Sequence, residues 1–151
     1  MDQRPRGHLT PGCYGRNVEI VAALYIEDIE LRQVAGPSTR IDLTGVHFSM
    51  AAPQPVPVTL TPHLVALIWC PPDHSGSAAL EVVFRKADAG PDDEPLARSA
   101  MPVQVEPGKF TRQLVRPELE FDTYGTVLAS CRIDLGDTTV VPFTLLPPAA
   151  D

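Results

Sequence analysis

Three neighbours in one loop, Asp73, His74 and Ser75, are the residue types of a hydrolase triad. In that chemistry an acid orients an imidazole, and the imidazole takes the proton of a hydroxyl nucleophile. The side chains must converge, each aimed at the next, and adjacent residues of one loop are poorly placed to do so. There is also no GxSxG elbow to present a serine. With Ser77 and the prolines before it, the stretch Pro71 to Ser77 reads instead as a polar turn. His47, His63 and His74 with Asp73 offer imidazole and carboxylate, which suit zinc, but no two histidines stand at HxH or HxxxH spacing. Two acidic clusters, Asp92-Asp93-Glu94 and Glu118, Glu120 and Asp122, supply carboxylates. Glycosidases need two such groups facing each other across a cleft, and a cluster in one connector does not imply that. The calcium-loop pattern, with glycine at its sixth position, is also missing. No catalytic, cofactor-binding or metal-binding residue is therefore assigned, and the chain is read as not an enzyme.

The cysteines point the same way. Cys131 falls on the inward side of its strand, and Cys70 ends a strand beside Trp69, so both are expected in the core. Cys13 is the thiol expected to react, weakly, since no base lies near it in the sequence. Three cysteines with no CxxC pair fit a reducing cytoplasm better than a disulfide scaffold, and a Cys70–Cys131 bridge is not expected.

Something must position these residues, and composition narrows what. The chain has 151 residues, enough for one domain that buries about two-thirds of its surface on folding. Proline and glycine, at 17 and 10, reach about 18%, against about 12% ordinarily. Prolines recur too often to leave many helix-length windows. The net charge of −7 excludes non-specific binding to nucleic acid or to an anionic membrane, both of which need clustered Lys and Arg. No apolar window of 18 residues exists, and no apolar stretch follows the N-terminal residues as a secretory signal requires. A cytoplasmic location is expected.

Along the chain, residues 1–16 read as a flexible or loosely docked arm, 17–147 as a single β-domain, and 148–151 as a frayed end. Asn17 to Val34 fits either one helix or strand–turn–strand. Its Val, Ile and Tyr content, with Glu27-Asp28 placed for a turn, favours the strands. Thr39 to Met50 follows as one strand, Pro53 to Pro57 as an extended connector, and Val58 to Trp69 as a strongly apolar strand. Further strands are expected at 79–86, 96–105 and 110–115. Two last ones carry inward sets Val127, Ala129, Cys131, Ile133, Leu135 and Val141, Phe143, Leu145 around a turn at Gly136-Asp137. Pro62, Pro102 and Pro142 mark edge strands or bulges, because proline removes a ladder donor. About eight or nine strands joined by turns make an antiparallel sandwich or barrel.

The order of these features resembles a family of uncharacterised bacterial proteins of about this length. The residues that carry it are the opening Val21-Ala22-Ala23-Leu24, the run Ile41 to Phe48, the proline-rich connector, and the closing hairpin Leu128 to Asp137 with Val141 to Phe143. The resemblance spans about 18–146 and implies an all-β, antiparallel, immunoglobulin-like β-sandwich with no established activity. The antibody pattern of Cys, Trp and Cys is absent, since Trp69 directly precedes Cys70, and Tyr124 stands seven residues before Cys131 where a tyrosine corner needs two. The expected role is a non-catalytic interaction or assembly module, touching a protein partner or a second copy through a sheet face or edge. The alternatives are a small-ligand or carbohydrate-binding sandwich, which needs an open pocket lined by Trp69 or Tyr124, and a small hydrolase using residues 73–75.

Overall fold

The computed structural model describes residues 17–36, 39–74 and 76–150. Among them there is no helix. Twelve strands follow one another: β1 (Glu19–Ile26), β2 (Asp28–Gln33), β3 (Thr39–Thr44), β4 (Ser49–Ala51), β5 (Val58–Leu60), β6 (His63–Trp69), β7 (Gly76–Lys86), β8 (Ala97–Val105), β9 (Phe110–Val115), β10 (Leu119–Phe121), β11 (Gly125–Ile133) and β12 (Thr138–Leu146). The protein is all-β, built from several antiparallel sheets, one of them curled into a half-barrel. The sheet orders are β1-β6-β9, β4-β12-β11-β7-β8, and the two ribbons β2-β3 and β5-β10. One ladder, β4 on β12, is parallel.

The alternating sequences dictate the core. Leu80, Val82 and Phe84 of β7, Val127, Ala129, Cys131 and Ile133 of β11, and Val141, Phe143 and Leu145 of β12 all bury on the inner face, as their parity requires. Tyr25, Leu64, Ala66, Ile68 and Val115 meet them from β1, β6 and β9 in one cluster. Tyr25 and Phe143 hold the two sheets together through rings 4.9 Å apart at 55°. Leu135, by contrast, is 90% exposed. The strand ends at Ile133, Asp134 turns out at φ +51°, and the parity stops there.

The 17–34 window is strand–turn–strand, with the turn at Glu27. The strand count exceeds the expected eight or nine for three reasons. The expected Thr39–Met50 strand breaks after Thr44 at Gly45, which takes φ +69°. The expected Val58–Trp69 strand breaks at Thr61-Pro62 into pieces that join different sheets. A further short strand, β10, pairs Leu119, Glu120 and Phe121 with β5 inside the acidic connector. Pro62 thus marks a break, and β6 is the middle strand of its sheet rather than an edge. Pro102 does lie on an edge strand, β8. Pro142 lies on the half of β12 that β4 does not reach. The connector 53–57 is a run of bends with a cis Val56–Pro57 peptide, not a straight rod. Proline sets its own φ but leaves ψ and the peptide isomer open.

Residues 45–52 join the two large sheets. The His47 N–H donates to the Tyr25 carbonyl of β1 at 3.0 Å, and the Phe48 carbonyl accepts from Thr144 of β12 at 2.9 Å. The Ala52 N–H donates to Leu146 at 2.8 Å. This clasp depends on Gly45, because a Cβ there would overlap the Glu27 side chain. Gly45→Ala therefore loses about 1–3 kcal/mol, from left-handed backbone strain plus the clash. Glu27→Ala in the same chain recovers the clash component but not the strain. Chemical denaturation of the two single variants and the double variant measures both parts. Additive losses would mean that Glu27 and Gly45 do not touch.

Candidate functional site

The sheet β1-β6-β9 has an unusual outer face, and β6 is the reason. Its sequence, Leu64-Val65-Ala66-Leu67-Ile68-Trp69, is apolar at every position, the pattern of a strand covered on both sides. Leu64, Ala66 and Ile68 point into the core, so Val65, Leu67 and Trp69 point outward. The ladders extend these outward residues into rows. Leu24, Val65 and Leu114 form one, Ala22, Leu67 and Arg112 the next, and Trp69 pairs with Phe110 at the end, with Glu19 beside it on β1. A register shift between Ile20 and Ala22 leaves Val21 as the extra residue of a bulge, 53% exposed. Val65 is fully buried although it lies outside the main core cluster. The Trp69 end is open: Phe110 is 59% exposed, its ring 4.9 Å from that of Trp69.

The turn before β9 sets this pair. Gly108 takes φ +72°, and the Lys109 N–H donates to the Glu106 carbonyl at 3.1 Å. The Gly108 N–H donates to the Cys70 carbonyl, and the Cys70 N–H to the Lys109 carbonyl, so the β6–β9 ladder runs on past both strands. Phe110 is thereby locked opposite Trp69. The sequence hides this face for two reasons. A strand apolar throughout has no parity to read, and β9 places polar Thr111 and Gln113 on its inner side.

The triad candidates are only partly described. Asp73 is exposed, and His74 is half-buried with an enclosed Nε2 that has no hydrogen-bond partner. Ser75 and Cys13 lie outside the described residues. The His74 backbone N–H donates to the Pro71 carbonyl at 3.2 Å, and its carbonyl accepts the Cys70 thiol at 3.4 Å, so the loop folds over Cys70. The histidines divide. His47 and His63 line one cleft with Ile26, Met50, Leu60 and Pro62, whereas His74 follows the far end of β6. Among the described residues no three His, Cys, Asp or Glu side chains gather as a metal site.

The carboxylates act locally. Asp93 accepts from the Gly90 N–H at 2.8 Å, closing its own turn, and the Asp93 carbonyl accepts from Arg85. Glu118, Glu120 and Asp122 are exposed around β10. Tyr124 lines a cleft of about 230 Å³ with Lys86, Asp88, Phe121 and Thr126, while its hydroxyl accepts from the Val56 N–H at 3.3 Å. A second cleft of about 490 Å³ adjoins it, sharing Lys86, Asp88 and Thr123.

Cys70 and Cys131 are free thiols, both fully buried. Burial pushes the Cys70 thiol up, helped by the Asp73 charge. Burial alone pushes Cys131 up to about 11. Tyr25, whose hydroxyl has no hydrogen-bond partner, is raised by burial and then by Cys131. Burial favours the neutral thiol at both cysteines. No model of a known protein family matches the chain, and no curated protein matches it.

A linkage consequence follows from Cys131. The folded state keeps its proton to about pH 11, while the unfolded chain loses it near the ordinary value of 9.0. The unfolded state then binds fewer protons, so stability is intact below pH 9 and falls from there to about pH 11. Cys131→Ala removes this alkaline loss, on top of a pH-independent packing cost. Denaturation midpoints from pH 7 to 10.5 check it. Parallel pH profiles for the two proteins would contradict it.

Proposed function

We propose that this chain is a non-catalytic, immunoglobulin-like β-sandwich module that works by contact with another protein through the outer face of β1-β6-β9. One observation carries the reading: β6 is apolar on both sides, and its outer side ends in half-buried Trp69 packed against Phe110, which is 59% exposed. An apolar face rimmed by charges such as Glu19 and Arg112 is the ordinary anatomy of a protein contact, with aromatics as anchors. A common core between the two large sheets supports the sandwich. The burial of both described thiols and the local pairing of Asp93 support a role without catalysis.

The decisive variant is Phe110→Asp. It puts a charge on the open end of the face without touching the inner core, so stability changes by less than about 1 kcal/mol. Capture from native lysate, read by mass spectrometry, loses its specific partner with this variant while keeping it with Val140→Asp on the other sheet. Equal capture by both variants would sink the reading.

A second reading has one observation behind it. The Tyr124 cleft is open and mixes a ring, a lysine and an acid, the surroundings a small polar ligand or a sugar requires. An oligosaccharide array tests it directly. Binding by the wild type that Tyr124→Ser abolishes would favour this reading, and a blank array would remove it.

A further inference from the structure

We infer that two copies of this chain pair through the open edge of the β2-β3 ribbon, β2 against β2, about a two-fold axis at Leu31; this surface is separate from the contact face above. The ribbon is a sheet of its own, so one edge of each strand has no ladder. β1 pairs with β6 as far as Ile26 opposite His63. Thr61-Pro62 breaks the chain there, and no strand continues that ladder along β2. A bare edge presents unpaired N–H and C=O groups, which an added antiparallel strand satisfies. Proline or a bulge commonly blunts such an edge. β2 has no proline, and its register with β3 runs without a shift.

The remaining way to keep a copy off is charge, and the charges of β2 are arranged to accept one. Ile29 and Leu31 lie opposite Leu43 and Ile41 on one face of the ribbon, and Glu30 and Arg32 opposite Asp42 and Arg40 on the other. Each rung of the charged face thus sets like charges together, which is unfavourable. The diagonal Arg32–Asp42 pair relieves one group of each rung. Glu30 and Arg40 make no ion pair among the described residues.

A two-fold axis at Leu31 answers both faces. It sets Leu31, 50% exposed, against Leu31 of the second copy. It also sets Glu30 of each copy against Arg32 of the other. Arg32 gives Nε and Nη2 to Asp42, which leaves Nη1 for that carboxylate. Moving the axis by one residue sets Glu30 against Glu30 or Arg32 against Arg32, so charge fixes the register. The β3 edge, centred on Ile41, is less suited. Ile41 is half-buried, and both oxygens of Asp42 already accept from Arg32. Six residues a side make a small contact held mostly by main-chain bonds, so the dimer is weak and depends on concentration.

The test is sedimentation of the full chain from about 10 μM to about 1 mM, beside Glu30→Arg, Arg32→Glu and an equimolar mixture of the two variants. Far-UV circular dichroism checks that each keeps its fold. The wild type passes from monomer to dimer over this range, more readily at low salt. Each variant alone brings like charges together beside the axis and associates about tenfold more weakly. In the mixture every new charge meets its opposite, and association returns as a heterodimer. A merely damaged ribbon gives no such rescue. A wild type that stays monomeric throughout overturns the inference. So does association that Glu30→Arg leaves unchanged, or a mixture that associates no better than either variant alone. Phe110→Asp keeps the dimer, so the pairing and the contact reading fail separately; association lost with Phe110→Asp instead would place the second copy on β1-β6-β9 and overturn the pairing at β2.

Discussion

The arrangement turns on one strand. β6 is apolar at six consecutive positions, Leu64 to Trp69, and sits in the middle of its sheet. A middle strand exposes no edge, so both of its ladders are satisfied and only its two faces remain to be covered. The inner face is covered by β7, β11 and β12 through Leu64, Ala66 and Ile68. The outer face carries Val65, which is fully buried, and Leu67 and Trp69, which are half-buried, and it is open where Phe110 of β9 stands beside Trp69. The contact reading comes from that open end.

The rest of the fold keeps this strand in place. The clasp at 45–52 bonds β1 to β12 through His47 and Phe48, and the His47 ring adds an edge contact to Phe143 at 5.8 Å. His47 Nδ1 donates to the Gly45 carbonyl at 2.8 Å, which fixes the tautomer and braces the glycine turn. On the other flank, the Cys70–Lys109 bonds extend the β6–β9 ladder and close the turn under Pro72. By contrast, the β2-β3 ribbon is held by its own pairing and by the bidentate Arg32–Asp42 ion pair at 2.9 and 3.1 Å. Both partners of that pair are exposed, so it orients the ribbon more than it stabilises the protein.

Alternation made much of this legible from sequence. β7, β11 and β12 alternate cleanly, and their buried residues are the expected ones up to the turn at Asp134. What escaped has physical causes. A glycine at φ +69° ends a strand whose side chains still alternate, so the break at Gly45 leaves no trace in the polarity pattern. Pro62 breaks an apolar run into two sheets, yet proline tolerated at an edge and proline between strands look alike in sequence. The Trp69–Phe110 pair escaped because a run apolar at every position carries no parity, and the register that sets the two rings together is a long-range fact. The Tyr124 cleft joins residues from the β7 end and the β10–β11 connector, about 40 positions apart.

The central claim is that the outer face of β1-β6-β9 is where this protein is touched by another. The most direct measurement is photo-crosslinking in intact source cells, with a benzophenone amino acid placed at position 110 and, as control, at position 140. Both positions are exposed, at 59% and 51%, but they lie on different sheets. The account predicts a discrete adduct of higher mass from position 110 and none from position 140. Equal yields from both positions, or no adduct from position 110, would contradict it.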